Sequence, residues 1–337
     1  MHVRTRVLIV GAGPIGLETA WECKRRGIEY IQVEKGPIGS TITCYPQETT
    51  FFSSADRIGI AGVPLVTPGQ RKATKEEYLA YLRQVVVARG LEVRAYEEVR
   101  GLRRDDDGFL AHTDRGSIRA DAVVLATGDM ARTRSIGIEG EELPHVSHEF
   151  VEPHRYFGQR LLIVGGKNSA VEAALRCWHA GAHVTLSYRR EEFDARHVKY
   201  WLLPELKGRI HRGEIACFMP SEPLHVTATH VTLREPQGDL QVPADFVLLL
   251  TGYEADMSLF RMLGAELEGR AERPRVDEQT MQTSVPGLYV AGTATAGTQY
   301  EFSLFIENCH IHARRIGAAL AGEPPPDDPP PLTVPES

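Results

Sequence analysis

The stretch VLIVGAGPIG at residues 7–16 places a glycine-rich turn directly after a run of apolar residues. Gly11 permits a tight turn, Gly13 lets the backbone approach a pyrophosphate, and Gly16 allows a helix to pack closely on the strand. The helix that starts there directs its free N–H groups and its positive dipole end at the phosphates. The stretch therefore predicts a strand–turn–helix unit that binds a dinucleotide.

A second strand is predicted at the distance that this unit requires. The run at residues 30–33 leads into Glu34, eighteen residues after Gly16. A carboxylate at this position accepts hydrogen bonds from the ribose hydroxyls of an adenosine and disfavours a 2′-phosphate. A glycine turn without a ligand is the alternative, but the strand, the spacing and the acid all favour binding.

A second turn of this kind, LLIVGGKNSA, occupies residues 161–170, and Lys167 stands where the strict pattern has its second glycine. A helix at 171–178 and a strand at 183–188 are predicted to follow it. This strand runs into Arg189 and Arg190, whose guanidinium groups suit the 2′-phosphate of NADP, so NADPH is favoured over NADH. A solvated charged corner is the alternative. A chain that binds two dinucleotides commonly does so in order to pass a hydride from one to the other.

Composition excludes several classes of protein. The chain has 337 residues, of which 42% are hydrophobic and 25% charged, and this composition is typical of a globular protein of two ordinary domains. The net charge of −7 argues against nucleic acid or an anionic membrane as the main partner. No apolar run is long enough for a spanning helix, and the first strand begins too early for a signal peptide. A cytoplasmic protein is expected.

The cysteines and histidines predict no metal site. The five cysteines are widely spaced and form no Cys-x-x-Cys pair, and the thirteen histidines are scattered. An odd number of separated cysteines is typical of reduced thiols in a reducing compartment.

Apolar periodicity and polar turns predict the remaining elements. A loop at 36–72 and a helix around 78–86 precede short strands, which lie at 91–95, 99–103, 109–113 and 117–119. Buried strands at 122–126 and 246–250 each lead into a Thr-Gly pair, so each glycine turn is followed by the same device, an internal duplication. A terminal helix is predicted at 302–321.

The motifs together resemble those of the two-dinucleotide flavoprotein reductases. Ala-Thr-Gly at 126–128 and Ala-Gly-Thr at 291–293 accompany the two turns, as in the low-molecular-weight thioredoxin reductases, but the Cys-x-x-Cys of those enzymes is missing. The chain is more similar to the YpdA-type bacillithiol disulfide reductases over about residues 5–320. The stretches that carry this resemblance are YPQETTFFSS at 45–54, GVP at 62–64, GGKNSA at 165–170 and FIEN at 305–308.

The resemblance implies an α/β fold of two Rossmann-like domains, each a three-layer ββα arrangement, with the NADPH domain inserted into the FAD domain. Residues 1–130 and 255–322 are expected to bind FAD, residues 131–254 to bind NADPH, and the Pro-rich tail 323–337 to be extended or disordered. It also implies hydride transfer from NADPH to FAD and then to a small-molecule disulfide, the oxidised form of bacillithiol. We expect a homodimer or higher homo-oligomer, with no nucleic-acid or membrane partner.

The turns and the resemblance assign a set of residues to the two cofactors. For the first domain they are Gly11, Gly13, Pro14, Ile15, Gly16, Glu34, Lys35, Ser40, Tyr45, Thr50, Phe51, Phe52, Val99, Ala126, Thr127, Gly128, Gly292 and Thr293. For the second they are Gly165, Gly166, Lys167, Asn168, Ser169, Ala170, Arg189, Arg190 and Gly252. The start of the terminal helix, near 301–304, is expected to face the flavin, where its dipole stabilises negative charge. Plain core packing is the alternative for Phe51 and Phe52.

Two departures from the family bear on the thiol chemistry. Ile15 occupies a position in the first turn where members of the family often carry a cysteine, and Thr293 replaces the aspartate of the wider group, as in the YpdA type. Cys44, in the loop expected near the flavin, is the candidate redox relay, and Cys309 is a weaker one. A structural role for either is the alternative.

Three other functions stay open from the sequence. A ferredoxin or flavodoxin–NADP reductase needs no cysteine pair, although it usually adds an aromatic C-terminal segment in place of this Pro-rich tail. A flavin monooxygenase also uses two glycine turns, but residues 143–148 match its linker motif only loosely. A flavin-bound redox sensor would need no turnover.

Overall fold

The chain folds into two compact units. The structure, a computed structural model, describes residues 2–301 and 303–327. The first unit holds the described residues up to Arg132 and from Tyr253 onward, and the second is Thr133–Gly252. Along the chain, the second unit is therefore inserted into the first.

Helices and strands alternate in both units. The helices are α1 (Pro14–Arg25), α2 (Ser40–Thr43), α3 (Ala55–Ile58), α4 (Lys75–Arg89), α5 (Asn168–His179), α6 (Leu203–His211), α7 (Ser258–Met262) and α8 (Ile306–Ala321). The strands are β1 (His2–Val10), β2 (Tyr30–Glu34), β3 (Val93–Ala95), β4 (Val99–Asp105), β5 (Gly108–Thr113), β6 (Gly116–Leu125), β7 (Arg132–Thr133), β8 (Val146–Ser147), β9 (Arg160–Val164), β10 (His183–Ser187), β11 (Ala216–Phe218), β12 (Glu222–Val226), β13 (His230–Glu235), β14 (Gly238–Pro243), β15 (Phe246–Leu249), β16 (Tyr253–Glu254), β17 (Leu267–Glu268), β18 (Arg273–Pro274) and β19 (Leu288–Val290).

The sheet of the first unit has the order β3-β2-β1-β6-β5-β4. Strands β3, β2, β1 and β6 run parallel, and the second half of β6 also pairs in parallel with β19. Strands β5 and β4 continue the sheet in antiparallel fashion from the first half of β6. The chain runs from β1 to β2 and β3 on one side and returns to β6 on the other. The strand order therefore reverses beside β1, where ligands bind in folds of this kind.

The sheet of the second unit repeats this arrangement. Its order is β11-β10-β9-β15-β8, and all its pairs are parallel. The order reverses beside β9, which carries the second glycine turn, as it does beside β1. A separate antiparallel sheet, β12-β13-β14, completes the unit. The expected α/β fold with parallel-strand sheets is confirmed. In both units a strand that leads to a Thr-Gly pair follows the glycine turn, as predicted, and the structure adds that this strand pairs with the turn-bearing strand.

Both central strands are buried on both faces. Val7 and Ile9 of β1 belong to one apolar cluster and Leu8 and Val10 to another, so alternate side chains point to opposite faces. Strand β9 divides its residues in the same way. Each fully buried side chain of this size stabilises the fold by roughly 1.5–3 kcal/mol relative to an exposed one. The continuous apolar runs at 7–10 and 161–164 thus reflect covered parallel sheets.

The helix boundaries have local causes. Helix α4 begins with a capping box, in which the Thr74 hydroxyl accepts from the Glu77 N–H and the Glu77 carboxylate accepts from the Thr74 N–H, and it ends at Gly90 with φ +57°. Helices α1 and α5 have no side-chain cap at their first turns. Their first N–H groups are therefore available to an anion.

Several sequence predictions were wrong in their boundaries. The separate strands predicted at 117–119 and 122–126 form one strand, β6, because its first half pairs with β5 and its second half with β19. The predicted loop at 36–72 contains α2 and α3. Helix α8 begins at Ile306, not at residue 302, because side-chain amides bind the backbone just before it. The tail residues 323–327 form neither helix nor strand, while Phe302 and 328–337 lie outside the described residues.

Candidate dinucleotide sites

The three glycines of the first turn differ in whether the surrounding atoms leave room for a side chain. Gly11 has φ +110°, and a Cβ there would overlap the carbonyl oxygen of Ala126. A Cβ at Gly16 would overlap the Gly11 carbonyl oxygen, whereas a Cβ at Gly13 would meet no atom within 4 Å. Packing therefore requires Gly11 and Gly16, while Gly13 leaves the backbone accessible where Pro14 begins α1. This geometry suits a pyrophosphate.

Glu34 joins the end of β2 to the first turn. Its carboxylate accepts hydrogen bonds from the backbone N–H of Ala12 at 2.7 Å, from the backbone N–H of Gly36 at 3.0 Å and from the Ser40 hydroxyl at 2.9 Å. Glu34 is buried, whereas the neighbouring Lys35 is exposed. A carboxylate has about four acceptor positions, so Glu34 keeps the capacity to bind a ribose hydroxyl.

Gln32 of β2, which sequence reasoning missed, forms a hydrogen bond to the backbone of the same turn. Its side chain is fully buried, and its amide donates to the Gly11 carbonyl oxygen at 2.8 Å. The signal was present in the sequence, since a glutamine inside an otherwise apolar buried strand needs a hydrogen-bond partner.

The carboxyl end of β6 lies beside the first turn. Ala126 donates its N–H to the Val10 carbonyl oxygen at 2.8 Å, and a Cβ at Gly128 would lie 3.8 Å from the Thr293 hydroxyl. The Thr127 hydroxyl oxygen is buried and has no hydrogen-bond partner among the described residues. Ile15 of the turn packs against Gly292, where a Cβ would lie 3.3 Å from that of Ile15. The structure thus brings together Ile15, the 126–128 turn and residues 292–293.

The aromatic residues of the 45–52 loop lie in two environments. The ring of Phe51 lies 4.6 Å from that of Tyr78 and 6.3 Å from that of Tyr45, and it packs against the main apolar cluster. Phe52 is half-buried, with the Lys72 ammonium 5.2 Å from its ring centre. Burial raises the pKa of the Tyr45 hydroxyl well above its usual range, and the charge of Asp129 adds to this shift. Phe51 therefore contributes to the core.

Three further residues predicted to bind a cofactor lie in the first unit. Thr50 forms an isolated antiparallel bridge with Thr74. Val99 begins β4 and packs against the apolar cluster on the Val10 face of the sheet. Thr293 lies in the 3₁₀ turn Gly292–Ala296 that follows β19.

All five cysteines are described and none forms a disulfide. Cys44 is exposed at the end of α2, and its thiol lies 3.6 Å from the Ser40 carbonyl oxygen. Burial raises the pKa of the other four thiols, those of Cys23, Cys177, Cys217 and Cys309, to about 12. These four are therefore protonated and weakly nucleophilic at neutral pH, and Cys44 has the access that exchange requires.

The second turn shares only part of the geometry of the first. Gly165 has φ +145°, and its Cβ would lie 2.6 Å from the Leu250 carbonyl oxygen. Gly166 is required by the Tyr188 ring, since a Cβ there would lie 2.5 Å from it. Ala170, at the position of the third glycine, is fully buried. Tyr188 in turn stacks on Phe193, with ring centres 5.6 Å apart.

The backbone and side chain of Lys199 bind the first turns of helix α5. Asn168 accepts from the backbone N–H of Lys199 at 2.6 Å, and the buried Lys199 ammonium donates to Glu172 at 2.7 Å. Lys167 is half-buried and Ser169 is exposed. The side-chain oxygen of Asn168 is thus engaged by the protein, while Lys199 and Glu172 are contacts that sequence reasoning missed.

The end of β10 is a cationic corner. Arg189 and Arg190 are both exposed, and the Arg190 guanidinium lies 4.0 Å from Asp194. Asp194 also forms a bidentate pair with Arg196, at 2.7 and 3.0 Å, and hydrogen bonds from Arg196 hold the pKa of its carboxyl below the usual range. Gly252, with φ +104°, follows β15 beside Arg134. Exposed guanidinium groups here can receive a phosphate.

The described residues hold neither a candidate metal site nor a candidate membrane-spanning helix. The described residues contain no group of three His, Cys, Asp or Glu side chains placed to hold a metal ion. Among these same residues, no helix has the length and apolar character needed to cross a membrane.

Three comparisons place the chain among known proteins. A family model described as pyridine nucleotide-disulphide oxidoreductase matches residues 8–292. The chain is 34% identical over 321 residues to bacilliredoxin reductase Bdr of Bacillus subtilis (strain 168), covering 95% of this chain and 98% of that protein. Two solved structures, both named bacillithiol disulfide reductase Bdr (YpdA), are similar in fold. The one from Staphylococcus aureus has TM-score 0.91 and 31% identity, and the one from Bacillus cereus has 0.90 and 33%; each pair covers 95% of this chain and 99% of the other.

Proposed function

The chain belongs to the pyridine nucleotide-disulphide oxidoreductase family and is an oxidoreductase of that kind, and on this premise we propose that it uses NADPH and FAD to reduce bacillithiol disulfide. The observation that carries the proposal is the end-to-end match to proteins named for bacillithiol disulfide and bacilliredoxin. Such a match leaves no large segment of those relatives without a counterpart in this chain.

The residues of the first unit fit FAD. Helix α1 offers uncapped N–H groups to a pyrophosphate beside Gly13, and Glu34 lies at the end of β2 to receive the adenosine ribose. The buried Thr127 hydroxyl lacks a protein partner, and a polar edge of the cofactor would supply one. When bound, FAD supplies the two-electron chemistry that connects NADPH to a disulfide.

The residues of the second unit fit NADPH. Helix α5 also begins without a side-chain cap, and the exposed Arg189 and Arg190 follow β10, where the first unit has its acid. In this assignment their guanidinium groups bind the 2′-phosphate, which NADH lacks. Residues 131–254 would then be the NADPH domain and the remainder the FAD domain.

Cys44 is the candidate thiol for exchange with the substrate. Ile15 fills the position in the first turn where the family often has a cysteine, and the four other thiols are protonated by burial. A thiolate of Cys44 would attack one sulfur of the disulfide, form a mixed disulfide and release the other half as a thiolate, which takes a proton from water. Two electrons, which bound reduced FAD would supply, would then be needed to cleave the mixed disulfide, release the second half and restore the Cys44 thiolate. We place the enzyme in the cytoplasm, where NADPH and reduced thiols occur, as a homodimer or higher homo-oligomer.

Steady-state oxidation of NADPH by the purified holoprotein tests the proposal. The acceptors are bacillithiol disulfide, oxidised bacilliredoxin, oxidised thioredoxin, ferredoxin and oxygen. We expect bacillithiol disulfide to support at least tenfold faster turnover than ferredoxin, thioredoxin or oxygen. Faster turnover with bacilliredoxin would move the substrate from the small disulfide to the protein named in the B. subtilis relative, and turnover with ferredoxin alone would exclude both.

The same assay decides the role of Cys44. Cys44→Ser should lower disulfide-dependent turnover at least tenfold while flavin reduction by NADPH stays at the wild-type rate. Cys217→Ser, which removes a half-buried thiol of the second unit, is the matched control. A Cys44→Ser protein with full disulfide-dependent activity would show that no thiol relay operates. Slow flavin reduction in the wild type, without turnover, would indicate a sensor.

A further inference from the structure

Gln299 is buried and makes four hydrogen bonds with its side-chain amide. Its nitrogen donates to the Asp129 carboxylate at 2.8 Å and to the Leu304 carbonyl oxygen at 3.0 Å, and its oxygen accepts from the N–H groups of Ser303 at 3.0 Å and Leu304 at 2.9 Å. An amide side chain offers two donor hydrogens and two acceptor positions, so the hydrogen-bonding capacity of Gln299 is completely used.

Asp129, the partner of Gln299, directly follows the 126–128 turn at the carboxyl end of β6. It is 8% exposed, and Gln299 is 7% exposed. A buried carboxylate requires hydrogen-bond donors because its desolvation is costly. The pair spans 170 residues of sequence and lies within the first unit. It connects a turn at the centre of the sheet to the segment that leads into α8.

The residues that the pair connects are those expected to contact the flavin. Gly128 lies beside Thr293, and Leu304 lies two residues before Ile306, the first residue of α8. We propose that the Gln299–Asp129 hydrogen bond is a latch that holds the 126–128 turn and the start of α8 at the spacing that one bound flavin requires. This inference rests on the proposed function, since it assumes that FAD occupies the first unit.

Bracing of the local backbone is the competing explanation for Gln299. Its oxygen and its Leu304 contact would serve that role without Asp129, and Asn308 also binds this backbone, through the Ser303 carbonyl oxygen and the Phe305 N–H. The two explanations differ in what they require. The latch needs a donor–acceptor pair between positions 299 and 129, whereas bracing needs only the bonds that Gln299 makes to the backbone of Ser303 and Leu304.

Exchange of the two groups separates these explanations. Gln299→Glu keeps the acceptor for the Ser303 and Leu304 N–H groups but replaces the amide donor, which binds both Asp129 and the Leu304 carbonyl oxygen, with a second carboxylate. The double variant Asp129→Asn/Gln299→Glu restores one donor and one acceptor in reversed positions. Gln282→Glu is the matched control, because the Gln282 oxygen accepts from the Gly287 N–H at 2.9 Å away from the carboxyl end of β6.

The measurement is the dissociation constant for FAD, from flavin fluorescence during titration of each apoprotein, together with its Tm. We expect Gln299→Glu to raise the constant at least tenfold, and the double variant to return it to within threefold of wild type. Gln282→Glu should also stay within threefold. An unchanged constant in Gln299→Glu, or a double variant as weak as the single one, overturns the latch.

Two further outcomes are decisive. If Gln299→Glu does not fold, Asp129→Asn replaces it, since the new amide oxygen still accepts from Gln299. Its FAD affinity should stay within threefold of wild type, and a tenfold loss there overturns the latch. A wild-type apoprotein that binds no FAD contradicts the proposed function itself, which distinguishes that failure from loss of the latch alone.

Discussion

The two glycine turns occupy equivalent places in two units and meet different demands. Gly11 and Gly165 both have positive φ angles and both lie too close to a strand-end carbonyl for a side chain. The second position differs, since Gly13 faces open space and Lys167 replaces it in the other unit. Packing therefore requires the first glycine in both units and places no demand on the second position, where the proposed function assigns the requirement to the bound cofactor.

The strongest test of this distinction compares glycines within one turn. Gly11→Ala and Gly165→Ala should each reduce the free energy of unfolding by about 3 kcal/mol, because each forces a Cβ onto a carbonyl oxygen at an unfavourable φ. Gly13→Ala should leave it within about 0.5 kcal/mol in the apoprotein and weaken FAD binding instead. Urea unfolding of the apoproteins measures this. Equal destabilisation by Gly11→Ala and Gly13→Ala would refute the division of roles.

We expect acid to lower the stability of the first unit more than that of the second. His312 of the first unit is buried, whereas no histidine of the second unit is. Burial, with the nearby Arg315 charge, lowers the pKa of His312 to about 4, and its ring bonds the backbone of Gly292. The unfolded chain, with a histidine pKa near 6.5, then binds more protons between about pH 4 and 6.5. Stability is full above this window and decreases by about 3 kcal/mol as the pH falls to 4.

His312→Phe removes this titration and tests the assignment. Its free energy of unfolding should decrease less than that of wild type between pH 7 and pH 4, by about 3 kcal/mol. His145→Phe, in the second unit, is the control, because His145 is only half-buried. Parallel pH profiles for His312→Phe and wild type would show that His312 does not carry the acid sensitivity.

These contrasts also show what the sequence could and could not supply. The turns, the central strands and the Thr-Gly repeats were predictable, because their demands are local and concern only a few neighbouring residues. Gln299 and Lys199 were missed because their partners, Asp129 and Asn168, lie 170 and 31 residues away. The β12–β14 sheet was not predicted, because its strands have only five or six residues and mix apolar with polar side chains, unlike the continuous apolar runs of β1 and β9.

Strand β2 of the first unit ends in Glu34, whereas β10 of the second unit is followed by Arg189 and Arg190. We expect this difference in charge to determine which nicotinamide nucleotide the second unit binds. Arg189→Ala/Arg190→Ala should raise the Michaelis constant for NADPH about 10- to 100-fold, since each charge-assisted hydrogen bond contributes roughly 1.5–3 kcal/mol and exposure reduces this. The constant for NADH should change less than threefold. Arg212→Ala/Arg234→Ala removes the same charge elsewhere in the second unit and should leave both constants near wild type. Equal increases for both nucleotides would contradict the proposed role.

The smallest expected effect comes from a second histidine of α8, whose titration opposes that of His312. The His310 ring contacts the buried Glu18 carboxylate of α1 at 2.7 Å and the Arg57 carbonyl oxygen at 2.9 Å. Burial alone would lower the pKa of His310, but the hydrogen bond and charge of Glu18 outweigh it, so the pKa is raised. Its stabilisation is therefore complete below about pH 6.5, the unfolded value, and is lost as the pH rises through the folded pKa.

His310→Gln should consequently cost about 1 kcal/mol in the free energy of unfolding at pH 6 and less at pH 9. Because Glu18 lies in the helix that starts at the first turn, the loss should be confined to the first unit. His179→Gln, which removes the exposed contact with Glu205 on α6 of the second unit, should change stability by less than about 0.5 kcal/mol at either pH. A cost for His310→Gln that grows with pH would reverse the sign argued here and refute the pairing with Glu18.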